Sequence, residues 1–331
     1  METRKVQLTG GSTFTVSLPK EWAIRNGVEA GSVLAFVDDG ESLTVSTRHD
    51  EGRTQGEFDI GDLSGDHLTR SVMTMYVSGF DVITLRGDRI TAEQRQAIRT
   101  ATQSLIGVEV LEETADRIVI QDLLDSSELS VTNAVERMHL IADSMLADAV
   151  TAVIENDDDL ANDVIERDDD VDRLWLVVSR IFRGTLRSPA AAPDIGISRE
   201  DCFDFHSTAR QLERVGDHAA KISNLAVKLD DVPETVAESL ESLHAAVVEV
   251  LSAAIEALLE TDRDRSSQLA HQSRAQVLDI DEHTREIDQL LRDLDPHEAQ
   301  SLGLIVDSLS RSADYGGNIA ETALQKAAPR P

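Results

Sequence analysis

Six long segments with helical periodicity fill the C-terminal three-fifths of the chain, and proline-containing breaks divide them. They run near 128–156, 159–186, 198–230, 234–260, 264–294 and 297–327, with apolar residues recurring at three- and four-residue intervals. The break LRSPAAAPDIGIS, residues 186–198, separates the second from the third. Asp231-Val232-Pro233 separates the third from the fourth, and Asp295-Pro296 the fifth from the sixth. Proline is tolerated in the first turn of a helix and disrupts its interior, so these are boundaries. Long amphipathic helices joined by short turns predict antiparallel bundles. The residue palette agrees: 41% of residues are hydrophobic but only 3% aromatic, so the core must come from Leu, Ile, Val and Ala.

The six segments fall into two sets of three. TARQLERVGDHAAKISNLA in the third (208–226) aligns with VDSLSRSADYGGNIAETAL in the sixth (306–324), placing Asp217 opposite Asp314. VIERDDDVDRL (164–174) and VLDIDEHTREI (277–287) form a looser pair. His206, Arg210, Glu213, Asp217 and Lys221 share one helical face, and Asp314, Asn318 and Glu321 share another. Small residues beside them (Gly216, Ala219, Ala220, Gly316, Gly317) let a neighbouring helix approach. Clustered carboxylates repel unless protons or a cation neutralise them, and oxygen donors suit hard or transition-metal cations. A solvated polar stripe is the alternative.

The chain ahead of the helices is mixed. Residues 1–48 read as short strands around one helix: Lys5–Leu8, a turn at Gly10–Thr13, and an alternating strand at Phe14, Val16 and Leu18. A helix follows from Pro19 to Arg25, stopping at Gly27, and then a hairpin turning at Asp38-Asp39-Gly40-Glu41. So few apolar side chains cannot form an independent core, which predicts a homodimer. Residues 49–57 read as a linker. Residues 58–125 predict a small α/β domain: a helix over 66–78, a strand at 81–85, a helix opened by a Thr91/Gln94 capping box, and a hairpin of 108–111 with 117–120. It contains no phosphate loop, catalytic triad or metal spacing, and reads as a spacer or dimer-supporting domain, with ligand sensing as the alternative. The domains are therefore 1–48, 58–125, 126–230 and 233–328.

The formal net charge is −31, and Lys5, Lys20, Lys221, Lys228 and Lys326 are the only lysines. Excess acid with scarce lysine suits a halophilic cytosol, where salt screens repulsion. Global acidity then says little about partners. Residues 1–48 carry five basic against six acidic side chains, a nearly neutral exception. One cysteine, Cys202, excludes an intrachain disulfide and reads as a core residue. METRKVQLTGGST lacks the apolar stretch of a signal peptide, and no run approaches the length of a membrane span. A cytoplasmic protein with no integral membrane segment is expected.

Two resemblances follow from these motifs. LERVGDH, with its flanking residues, is similar to the PhoU signature, in which E-x-x-x-D on the third and sixth helices binds metal ions. The resemblance spans roughly 128–328. It implies two tandem three-helix bundles, a divalent or transition metal ion such as iron, zinc or magnesium, and a regulator of phosphate uptake working with transporter or sensor proteins. The implied metal residues are Glu213, Asp217, Asp314, Asn318 and Glu321, with Glu166, Asp169, Asp170 and Asp172 as helpers. Ser310 stands where the family places Glu, Lys221 replaces the usual Asn, and Asn224 the usual Glu, which implies fewer or weaker metals. An ammonium at Lys221 could stand in for a cation. RKVQLTGGSTFTVSLPKEWAIRNGVEAGSVLAFV, residues 4–37, resembles the AbrB/SpoVT swapped-hairpin family, which implies an interleaved dimer and DNA contact through Arg4, Lys5, Ser12, Thr13, Lys20 and Arg25. Such side chains neutralise or hydrogen-bond phosphates.

The expected architecture is a multidomain chain: a swapped-hairpin β module, a small α/β domain and a PhoU-like, mostly α region. The expected function is a non-enzymatic, DNA-binding regulator of phosphate homeostasis. Its competitors are an adaptor whose N-terminal module only dimerises, and a metal-dependent hydrolase using His218, which lacks a nucleophile–base pair.

Overall fold

The computed structural model describes residues 3–38, 43–47, 53–124, 130–188 and 191–329. The chain forms two compact units, Met1–Arg53 and Thr54–Pro331.

In the first unit, β1 (Gln7–Thr9) pairs antiparallel with β2 (Thr13–Thr15), placing Leu8 opposite Phe14. Gly10 and Gly11 both take positive φ in the turn. Pro19 occupies the N-cap of α1 (Lys20–Arg25), one residue before the expected helical position. β3 (Leu34–Asp38) and β4 (Leu43–Thr47) form the second hairpin. The expected turn residues Asp39, Gly40 and Glu41 lie outside the described residues. No described side chain between residues 3 and 47 is buried. Phe14, Ile24, Val33 and Phe36 are all more than half exposed.

The second unit opens with a four-stranded sheet. β5 (Gln55–Asp59) lies parallel to β6 (Val82–Arg86), while β8 (Arg117–Asp122) runs antiparallel to β6 and to β7 (Val108–Glu113), giving the order β5-β6-β8-β7. β5 corrects the expected 49–57 linker, whose residues 49–52 are outside the described set. Its signal was hidden by Gly56. A Cβ there would stand 2.6 Å from the Met75 methyl and 2.7 Å from the Phe80 ring, so the strand needs glycine where a reader sees a loop. α2 (Gly65–Val77) and α3 (Ala92–Gln103) complete this layer. Leu68, Val72, Tyr76 and Ile98 pack in one core with Ile83, Leu85, Ile118 and Ile120. The Thr91/Gln94 capping box is present, and Gln94 Nε2 also donates to the Gly61 and Leu63 carbonyls.

The helical region follows the proline breaks. It comprises α4 (Val131–Glu155), α5 (Asp158–Arg187), the short α6 (Ala191–Asp194), α7 (Arg199–Ala226), α8 (Glu234–Leu259), α9 (Arg263–Leu291) and α10 (Pro296–Ala327). Ser130, Asp157, Ser198 and Asp262 cap α4, α5, α7 and α9 with side-chain oxygens. Each such cap is worth about 1 kcal/mol. α7 and α10, the third helix of each set, pack on each other, and one apolar core runs from Val131 through Ala323 across both sets. Cys202 is buried in the first turn of α7. α8 departs from the expectation about membrane spans: over Glu234–Leu259 it is long and apolar enough to cross a membrane. Here Leu240, Leu243, Val247, Leu251 and Leu258 are instead buried in the bundle core.

Candidate functional site

The polar face predicted on α7 turns toward α5. Its N-terminal part is aromatic: His206 stacks on Phe182 at 4.4 Å and lies 4.8 Å from Trp175, while the Arg210 guanidinium sits 5.3 Å over the Trp175 ring. One turn on, Arg210 Nη1 donates to Glu213 Oε1 at 2.6 Å. Glu213 is only 9% exposed, and its second oxygen, Oε2, is buried with no hydrogen-bond partner among the described residues. An orphaned buried carboxylate oxygen is costly and asks for a proton or a cation.

Glu213 belongs to a cluster of four acids, Asp168 and Asp172 from α5 with Glu213 and Asp217 from α7. Burial, reinforced by Asp217, pushes Glu213 up to about 7. Burial, with Asp172, Asp217 and Asp169 beside it, pushes Asp168 up to about 7. Asp172 rises to about 6 through burial and the charges of Asp217 and Asp169, and Asp217 is raised by burial against the pull of Arg210. Gly216 makes the approach feasible, since a Cβ there would stand 3.2 Å from Asp168 Oδ1.

Glu166, Asp169 and Asp170 are exposed, as are Asp172 and Asp217 at the solvent side of the cluster; Asp169 acts on Asp168 and Asp172 through its charge, and Asp170 pairs with Arg173 at 2.8 Å. Asp168 was missed. Its signal was its spacing: it lies four residues after Val164 and three before Val171, both fully buried, so it shares the core-facing stripe. Lys221 is exposed and acts on His218 rather than on the acids, so the cation beside Glu213 is Arg210.

The second repeat holds no such cluster. Asp314, Asn318 and Glu321 are exposed and engaged by different neighbours: Arg311 at 3.7 Å, Gln211 at 3.2 Å and Arg274 at 3.0 Å. They do not join Glu213 and Asp217. On this face α7 meets α10 through His218, whose Nε2 lies 3.4 Å from the Tyr315 hydroxyl.

Oxygen donors and the orphaned Oε2 fit a hard divalent cation by chemistry. Among the described residues, no three His, Cys, Asp or Glu side chains are already gathered as a metal site requires. The α5–α7 cluster is thus a set of donors within electrostatic reach rather than a closed cage. In the first unit, Arg4, Lys5, Ser12, Thr13, Lys20 and Arg25 are all exposed, with Lys20 and Arg25 at opposite ends of α1.

Residues 135–226, the first helical repeat, match the PhoU domain family. The helical region is PhoU-like. A Pseudomonas aeruginosa protein described as a phosphate-specific transport system accessory protein PhoU homolog is 27% identical over 199 residues, covering 57% of this chain and 80% of that one. The Escherichia coli PhoU accessory protein is 27% identical over 147 residues, covering 44% of this chain and 59% of its own. The crystal structure of PhoU from P. aeruginosa superposes with TM-score 0.51 at 24% identity, covering 59% of this chain and 93% of that one. PhoU from Streptococcus pneumoniae gives 0.50 at 17%, covering 59% and 91%. These two show the shared fold. Residues 7–52 match a different family, described as antidote-toxin recognition MazE, bacterial antitoxin. The PhoU match covers the repeat that keeps its acid cluster.

A separate polar group lies where the two repeats meet. Asp143 on α4 influences both His139, on the same helix, and His244 on α8. His139 Nδ1, Asp143 Oδ1 and His244 Nε2 are all buried without partners. Burial lowers both imidazoles, with Asp143 opposing. A histidine held neutral in the fold binds fewer protons than in the unfolded chain. Its stabilising effect is therefore complete above about pH 6.5 and is lost as pH falls toward the folded value. We expect that replacing both histidines with Gln makes the thermal midpoint fall less than in the wild type between about pH 6.5 and 5. Parallel melting curves over that range test it, and equal slopes would disprove it.

Proposed function

We propose that the chain is a PhoU-like regulator of phosphate uptake and phosphate homeostasis, working as a cytoplasmic, non-enzymatic dimer. Its helical region senses a cation through Asp168, Asp172, Glu213 and Asp217, and its N-terminal unit binds DNA. The observation that carries the first part is the buried, unpartnered Glu213 oxygen inside the PhoU-matching segment. A bound divalent cation would supply the positive charge that lets four acids ionise together. Arg210 would then fix the Glu213 carboxylate in place, and Gly216 would admit Asp168 to the same point. Two states with different cation affinity suffice to carry the signal.

The exposed Phe14, Ile24, Val33 and Phe36 support a second copy as the partner of the N-terminal unit, since one copy buries none of them. Lys20 and Arg25 are the leading phosphate contacts. The expected result is binding of the gene's own upstream region in multimolar potassium chloride, lost in the Lys20→Ala/Arg25→Ala variant. No affinity of the wild type for that DNA would overturn the transcriptional reading. The near balance of charge in residues 1–48 favours, in that event, an adaptor to the phosphate transport machinery. Elemental analysis of the same preparation tests the cation: about one divalent ion per chain is expected, and an equal amount in Glu213→Gln/Asp217→Asn would remove these residues from its site.

A further inference from the structure

A cavity of about 370 Å³ lies between the four-stranded sheet and the C-terminal half of α5, in the size range of small-molecule pockets. Tyr76, Leu124, Val177, Ile181 and Ile195 give it an apolar wall, and Thr54, Thr185 and Ser188 complete the lining. Two acids, Asp81 and Asp122, also line it; both are bound by Arg180 at 2.7 Å, so one guanidinium offsets one of the two carboxylates.

Arg187 differs. Its Nε donates to the Arg183 carbonyl, and its guanidinium forms no ion pair among the described residues. Burial and the charges of Arg180 and Arg183 disfavour a cation there, against the pull of Asp81. The group is seated rather than loose. It fills the space that a side chain would need at Gly79, whose φ of +83° also closes α2. A guanidinium at the exposed edge of a largely apolar cavity, with no ion pair among the described residues, is an arrangement that can receive an oxyanion.

We infer that this cavity binds a small organic anion, its apolar body against Val177, Ile181 and Ile195 and its oxyanion head on Arg187. A carboxylate and a phosphate monoester offer the same bidentate head, so the chemistry is shared between them. The site lies where the sheet meets the bundle, so an occupant touches both and favours whichever arrangement of α5 forms the cavity.

Gly184 supplies the decisive variant. It lines the cavity inside α5, and a Cβ there meets nothing within 4 Å. Gly184→Leu therefore fills the space while suiting the helix. Titration calorimetry and thermal shift on the full chain would use hexanoate, phenyl phosphate and the uncharged hexanamide. The expected result is saturable binding of at least one anion and about tenfold weaker binding of hexanamide. Arg187→Leu should bind that anion about tenfold more weakly with its melting midpoint unchanged, and Gly184→Leu should lose binding with a midpoint no lower than wild type. The ratio of hexanoate to phenyl phosphate affinity identifies the preferred head. No saturable binding of either anion, equal binding of hexanamide, or undiminished binding by Gly184→Leu overturns the assignment.

Discussion

Arg180→Met should destabilise the second unit by about 3–5 kcal/mol, the cost of removing one partner from a buried ion pair. Arg180 Nη1 donates to the Tyr76 and Phe80 carbonyls at 2.6 and 3.1 Å, and Nη2 lies 2.7 Å from both Asp81 and Asp122. The guanidinium also covers the Tyr76 ring at 4.8 Å. One side chain thus ties α5 to α2 and to the sheet. The Asp122 side chain is only 6% exposed, so without Arg180 its charge is stranded. Burial already raises the Asp122 carboxyl even with Arg180 present. A raised carboxylate costs stability above its folded pKa and nothing once protonated, so the variant should suffer more at pH 8 than at pH 5. Adding Asp122→Asn should recover most of the loss. Denaturant titration of the single and double variants at both pH values checks all three statements, and a single variant as stable as wild type at pH 8 would refute them.

The second large effect concerns function. In protein stripped of metal, Glu213→Gln should raise stability by about 1–2 kcal/mol at pH 8, because it removes a raised, buried carboxylate from a cluster of like charges. The sign follows from the shift. Glu213 and Asp168 stand near 7 in the fold against ordinary values near 4, so the folded chain holds protons that the unfolded chain releases. Their destabilising effect grows from about pH 4.5 and is complete above about 7. A divalent cation should produce the opposite ranking, stabilising wild type and leaving the variant behind. Melting curves with and without added magnesium or iron resolve this. A variant less stable than metal-free wild type would mean that the Arg210 hydrogen bond outweighs the repulsion.

The helical half was legible because its signals are redundant. Periodicity, caps and prolines mark the same boundaries, and the Thr91/Gln94 capping box has a fixed three-residue spacing that needs no tertiary information. β5 was not legible. Gly56 is required by the close approach of Met75 and Phe80, a fact of packing that looks like a turn signal in one dimension. The site divides similarly. Glu213 and Asp217 stand on one face by spacing alone. Asp168 was legible in the acidic run on α5 only through its register with Val164 and Val171, the apolar stripe that faces the core. The second repeat kept the face but not the neighbours, so Asp314, Asn318 and Glu321 looked equivalent in sequence and are engaged by Arg311, Gln211 and Arg274 in the fold.

The apolar core shared by the two helical repeats decides how the protein can be taken apart. A cut in the Asp231–Pro233 connection, the obvious place on a map of the repeats, would leave two halves with a raw apolar flank each, sticky and slow to refold. The serviceable joint is near Thr54. Fragments, fusions and truncation screens should be drawn there, because the duplicated helices are inherited as a pair and behave as a single piece.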